Sequence, residues 1–140
     1  MSGIEGQVAQ PKILVVDDSP TILSTVGWLL RNEGYDVRVA PDGFTALSII
    51  KNYLPDLIIL DIQLEHIDGF ELCALIRRDK NFTKTPIVML SSYTEQKYID
   101  HAYDMGATGY ITKPASDSDL LTTVKKALPN NNQLQTTGFA

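Results

Sequence analysis

Three aspartates, a serine and a lysine carry the chemistry open to this sequence. Asp17 and Asp18 follow the apolar run Lys12–Val16 (KILVV), and Asp61 follows Leu57–Leu60 (LIIL). Ser91 and Ser92 follow IVML at 87–90, and Lys113 follows TGYIT at 108–112. Short apolar runs rich in β-branched residues read as buried strands, so each polar group falls at a strand end. Carboxylates brought within a few ångströms repel, and at least one pKa must rise unless a cation is present. Lys113 offers one positive charge against three negative. The imbalance suits a divalent metal at Asp17, Asp18 and Asp61, and all-oxygen ligation suits Mg2+ (Mn2+ as a second fit) over a soft metal. A carboxylate beside such an ion, a lysine and a hydroxyl is equipped for phosphoryl transfer. Asp61 is the expected nucleophile. The metal and Lys113 would neutralise charge on the equatorial oxygens, and the Ser91 hydroxyl would donate to one of them.

These residues lie far apart in the chain, so a regular scaffold must bring them together. Ser19-Pro20 signals a helix cap and first turn, Ile22, Val26, Leu29, Leu30 and Glu33 recur at helical spacing, and Gly34 ends the segment. A strand over 36–39 follows, and Pro41-Asp42-Gly43 turns into a helix presenting Phe44, Leu47 and Ile50. Asp68-Gly69 opens a helix with Leu72, Leu75 and Ile76. Thr94 is the expected cap of one carrying Tyr98, Ile99, Ala102 and Met105. The SDSD at 116–119 matches a capping box before Leu120, Leu121, Val124 and Leu128. Five strands alternating with five helices call for a parallel sheet covered on both faces. The expected strand order is 2-1-3-4-5, the flavodoxin-like arrangement, whose ligands bind at the carboxyl ends of the strands. The second strand, an edge, ends in Ala40-Pro41 and carries no functional group.

A chain of 140 residues with 44% hydrophobic content fits one domain, expected over 11–128 between a flexible segment at 1–10 and a polar tail at 129–140. A net charge of −5 argues against direct binding to a nucleic acid backbone. No apolar run approaches the roughly 20 residues that span a bilayer, and the first ten residues lack a secretory pattern. The one cysteine, Cys73, is read as an inert core thiol, and a cytoplasmic location fits.

The pattern VVDDS at 15–19, IILD ending at Asp61, Asp68-Gly69, Ser91 and GYITKP at 109–114 resembles the response regulator receiver domain, the chemotaxis-regulator type in particular. The resemblance runs from about residue 12 to 128. It implies phosphorylation of Asp61 by a histidine kinase or phosphotransfer protein. It also implies Mg2+ on Asp17 or Asp18, Asp61 and the backbone carbonyl of Gln63. Ser91 and Lys113 would hold the phosphoryl oxygens, and the Lys113–Pro114 bond would be cis. Tyr110 matches the switch aromatic, which moves inward as Ser91 shifts and reshapes the surface of the fourth helix, fifth strand and fifth helix for a downstream protein. A local charge change then biases a two-state element. Such a module catalyses only its own phosphorylation and dephosphorylation, and acts as a monomer or a phosphorylation-linked dimer.

The sequence departs from the family at Glu65, where proline is common four residues after the phosphorylated aspartate. Gln63 and Tyr93 border the approach of hydrolytic water in the family and so could set the phosphoryl lifetime. Ser92 reads as a small neighbour that keeps the pocket open. Asp18 or Ser19 has a bland reading as a helix cap, and Tyr110 one as a strand aromatic. His66 and His101 lack metal-ligand spacing and read as surface residues, as does Lys125-Lys126 at a helix end. Two rival functions remain open: a constitutive binding module, and an aspartyl-phosphate hydrolase. The latter expects D-x-D after the first strand, where this chain has D-D-S.

Overall fold

The computed structural model describes residues 10–128. The expected arm before residue 10 and the tail at 129–140 lie outside the described residues. Five strands, β1 (Lys12–Val16), β2 (Asp36–Ala40), β3 (Leu57–Leu60), β4 (Ile87–Ser91) and β5 (Gly109–Thr112), alternate with five helices. These are α1 (Pro20–Asn32), α2 (Gly43–Tyr53), α3 (Gly69–Arg78), α4 (Gln96–Asp104) and α5 (Asp117–Ala127). Every strand pair is parallel, and the order is β2-β1-β3-β4-β5.

Period-two alternation along the strands sorts the core into two layers. Leu14, Val16, Ile58, Leu60, Ile87 and Met89 pack with Ala46, Ile50, Leu72, Ile76 and Ala102, so α2, α3 and α4 cover one face. Ile13, Val15, Leu57, Ile59, Val88 and Leu90 pack with Val26, Leu30, Leu120 and Val124, so α1 and α5 cover the other. Because both faces are buried there, the inner strands β1, β3 and β4 read as near-continuous apolar runs, whereas the edge strands β2 and β5 are mixed. Cys73 is fully buried, and burial pushes its thiol pKa up, in keeping with an inert core group.

Side-chain caps fix where the helices begin. Ser19 accepts from the Ile22 amide, Asp42 from Thr45, Asp68 from Glu71 and Ser116 from Asp119. The fourth helix differs from expectation. Its cap position is Glu95, which makes no side-chain cap bond, and Thr94 lies one residue too early to serve. Phe44 also departs from expectation, being 59% exposed. The buried stripe of α2 is Gly43, Ala46, Ile50 and Tyr53, and Phe44 sits about 100° around the helix from Gly43. Gly34 takes φ +98°, the left-handed turn that stops α1. Gly69 is required for a different reason. A Cβ there would collide with the Asp61 carbonyl and come within 2.6 Å of Ile62 Cα, so α3 can start this close under the end of β3 only with glycine.

Candidate functional site

The sheet ladder continues one step beyond its strand ends and sets the direction of the polar side chains. The Asp17 amide donates to Ala40 O, Asp61 to Val16 O, and Lys113 to Ser91 O. Asp17, Asp61 and Ser91 are the buried polar or charged residues among those described. Lys113 Nζ donates to Asp17 Oδ2 at 2.9 Å and to Asp61 Oδ2 at 3.1 Å. The other oxygens are also held: Asp17 Oδ1 accepts from the Ser19 amide at 2.9 Å, and Asp61 Oδ1 from the Gln63 amide at 3.2 Å. Ser19 does the capping, which leaves Asp18 without a hydrogen bond or ion pair among the described residues. Asp17, Asp18 and Asp61 each offer an oxygen, all within 4.8 Å of one another.

The electrostatics follow from this crowding. Burial raises the Asp61 pKa, and the charge of Asp17 raises it further, against the lowering influence of the Lys113 and Gln63 hydrogen bonds. For Lys113, burial works to lower the pKa, but the bonds to Asp17 and Asp61 and their charges outweigh it, so the ammonium is reinforced. One cation thus serves two buried carboxylates, with a third at the rim. Hard oxygen donors short of positive charge fit a divalent ion of the Mg2+ type.

Around this pocket lie the residues named from the family resemblance. Ser91 Oγ accepts from the Tyr93 amide at 3.1 Å, and Tyr110 Oη donates to the Tyr93 carbonyl at 2.7 Å. Tyr110 is half-buried against the core, and burial raises its pKa. It therefore already lies inward, where the resemblance leads one to expect inward movement on activation. The Tyr93 ring stacks on Tyr98 of α4, with centroids 4.2 Å apart and planes at 18°. Three contacts of Tyr93 thus join Ser91, Tyr110 and α4. Spacing could not have revealed this, because the stack depends on the path of the loop after β4. The hydroxyl of Ser92, read from the sequence as a small neighbour of the pocket, donates to Gln63 Oε1 at 3.1 Å. Gln63 follows Asp61 by two residues, which puts its main chain beside that carboxylate. The histidines stay outside the pocket: His66 lies 6.2 Å from the Phe44 ring, and His101 meets Phe70 edge-on. The Lys113–Pro114 bond is cis.

The response regulator receiver domain family matches residues 13–125. Protein PilG of Pseudomonas aeruginosa is 40% identical over 121 residues, covering 85% of this chain and 88% of that one. The DNA-binding response regulator MtrA of Mycobacterium tuberculosis is 35% identical over 86% of this chain, which spans about half (52%) of that relative. Among solved structures, the chemotaxis protein CheY4 of Vibrio cholerae superposes with a TM-score of 0.83 at 35% identity, covering 86% of this chain and 100% of that one. The receiver domain of the sensor histidine kinase PA1611 of Pseudomonas aeruginosa, solved with a magnesium ion coordinated in its active-site cleft, gives 0.80 at 26% identity, covering 86% and 99%. Nearly the whole described chain is thus matched in sequence and in fold, and it belongs to the response regulator receiver domain family of two-component signalling.

Proposed function

We propose that this chain accepts a phosphoryl group on Asp61 from a histidine kinase or phosphotransfer protein. The change is relayed to the surface of α4, β5 and α5, where a protein partner binds. The observation that carries the reading is the pairing of one ammonium, Lys113, with two buried carboxylates beside a third. An Asp61 oxygen attacks phosphorus as the bond from phosphorus to the donor's imidazole nitrogen breaks, and the electron pair leaves with the imidazole. When bound, Mg2+ or Mn2+ at Asp17, Asp18, Asp61 and the Gln63 carbonyl supplies positive charge against the phosphoryl oxygens. Lys113 is then free to turn from the Asp61 carboxylate to a phosphoryl oxygen. Ser91 accepts a hydrogen bond now, so its own proton remains available to the phosphoryl group. Movement of Ser91 pulls on the Tyr93 main chain, whose carbonyl holds Tyr110 and whose ring leans on α4. The magnesium reported in the PA1611 receiver and the likeness to PilG support this reading. The proposed setting is the cytoplasm, where ATP-fed histidine kinases act.

Intact-mass measurement after incubation with acetyl phosphate and Mg2+ should find one phosphoryl adduct on the native chain and none on Asp61→Asn. No adduct on the native chain would overturn the proposal. The inward Tyr110 favours one alternative, a constitutive binding module whose surface is set without phosphorylation. Equal affinity of a partner for both forms would establish that alternative.

A further inference from the structure

A second polar hollow lies at the other end of the strands from the acidic pocket. Lys12 and Asp36, partners in register, open β1 and β2, about 16 Å of extended chain before Asp17. Period two puts Asp36 and Arg38 on the face of β2 that α2 covers, the face of Ala40. With Lys12 and with Ser48, Ile49, Asn52 and Tyr53 of α2, they line a cavity of about 470 Å³. Tyr53 is its fixed wall. It is 7% exposed, and its hydroxyl donates to Asp36 Oδ1 at 2.7 Å, with the Asp36 carbonyl oxygen 2.9 Å away. Burial and the Asp36 carboxylate push the Tyr53 pKa up, so the phenol stays a donor and the ring keeps its place. Two cations meet on that ring: Arg38 Cζ is 5.0 Å from its centroid and Lys12 Nζ 5.8 Å. Neither side chain makes a hydrogen bond or ion pair among the described residues, nor do those of Ser48 and Asn52. Asp56 stays outside the lining, its carboxylate accepting from the Lys12 amide at 2.8 Å. Two cations thus face one carboxylate, itself held by Tyr53. The hollow is short of negative charge, the reverse of the acidic pocket.

We propose that this hollow is a second ligand site, which takes a small organic phosphate ester of about mononucleotide size. The planar fork of Arg38 suits two phosphate oxygens at once, and the Lys12 ammonium a third. Ser48 and Asn52 bring further donors, and Ile49 offers an apolar wall to the organic part. The second carboxylate oxygen of Asp36 accepts from a hydroxyl or amino group there. Size decides between an ester and a bare ion. The cavity falls in the range of organic-ligand pockets, roughly 300–1,000 Å³, and inorganic phosphate would leave most of it to water. The site does not depend on the phosphoacceptor reading of Asp61. The bland alternative is a pair of solvated cations that complement the C-terminus of α2.

The test is an NMR titration of the full chain in EDTA, where the acidic pocket keeps its excess negative charge and repels phosphate. The probes are adenosine 5′-monophosphate, glucose 6-phosphate and inorganic phosphate. The esters should shift the Arg38 Nε–H and Asn52 side-chain amide resonances and bind more tightly than inorganic phosphate. The ester that binds the tighter assigns the organic part as nucleoside or sugar. Arg38→Gln and Lys12→Gln should each weaken binding about tenfold or more, the worth of one charge-assisted hydrogen bond. Asp36→Asn still accepts from Tyr53 but loses the like charge, so it should bind the esters several-fold more tightly. Thermal denaturation checks that each variant is folded. Unmoved Arg38 and Asn52 resonances at about 10 mM of either ester, a concentration that detects even millimolar affinity, would overturn the site. Inorganic phosphate bound as tightly as both esters overturns the ester assignment, and undiminished binding in the two glutamine variants overturns the geometry. Asp61→Asn should bind the esters as the native chain does. Loss of binding there would mean that the esters enter the acidic pocket, which overturns this proposal and leaves the phosphoacceptor reading standing.

Discussion

Replacing Asp61 by asparagine should make the metal-free protein more stable. The Asp61 carboxylate lies within 4.8 Å of those of Asp17 and Asp18 and 3.1 Å from the Lys113 ammonium. At an effective dielectric near 20, two like charges 4.8 Å apart repel by about 3.5 kcal/mol, and the ammonium at 3.1 Å attracts by about 5.4 kcal/mol. Asparagine deletes two repulsions and one attraction, a net relief of about 1–2 kcal/mol, and it removes the cost of burying an anion. Its side-chain oxygen can still accept from Lys113 or Gln63. For a domain of this size the relief corresponds to a rise in Tm of about 3–8 °C. The pH dependence has a definite sign. Burial raises the folded-state pKa of Asp61 above its ordinary 3.8, so its stabilising influence is full below that value and is lost as pH rises through the folded pKa. The advantage of Asp61→Asn should therefore be absent in acid and grow as Asp61 ionises. Thermal denaturation followed by circular dichroism in EDTA, at pH 7 and downward, measures it. Added Mg2+ should stabilise the native chain more than the variant and narrow the gap. A variant that melts at or below the native temperature in EDTA at pH 7 would refute the claim that these carboxylates repel in the folded state.

Lys113→Met leaves two carboxylates, 2% and 4% exposed, without their ammonium. Urea denaturation in EDTA should show a loss of about 3 kcal/mol, the low end for breaking a buried pair because Lys113 is itself partly exposed, with partial recovery in Mg2+. Gly69→Ala forces a methyl into the Asp61 carbonyl and Ile62 backbone, neither of which can yield cheaply. It should cost about 3 kcal/mol or more in the same assay and reduce the phosphoryl adduct. Tyr98→Leu removes the stack on Tyr93, worth about 0.5–1.5 kcal/mol. The adduct should form to the native extent while hydrogen exchange in α4 ceases to respond to it; an undiminished response would show that the stack does not carry the signal.

Most of the scaffold could be read from local pattern. KILVV and LIIL announce buried strands, Ser19-Pro20, Asp68-Gly69 and the serine at 116 announce helix starts, and Gly34 announces a stop, because backbone geometry and side-chain caps act over a few residues. Phe44 was misjudged because a helical stripe admits more than one phase over three apolar residues, and only packing selects Ala46 and Ile50 for the core. Thr94 was misjudged because a one-residue difference in helix start changes which side chain reaches the first amides. The hydrogen-bond partner of Ser92 lies 29 residues earlier, at a distance no local rule spans.

By itself the sequence determined which residue types stand at which strand ends, and the alternation of elements that gathers those ends on one edge of a parallel sheet. Periodicity and capping are short-range, so they survive without knowledge of the fold. The tertiary structure alone decided that Lys113 is shared between Asp17 and Asp61, that Tyr110 reaches the Tyr93 carbonyl, and that Gln63 and Ser92 meet beside Asp61. Those pairings join loops from different strands, and their distances depend on how two packed layers seat the sheet, which no segment of the chain encodes alone.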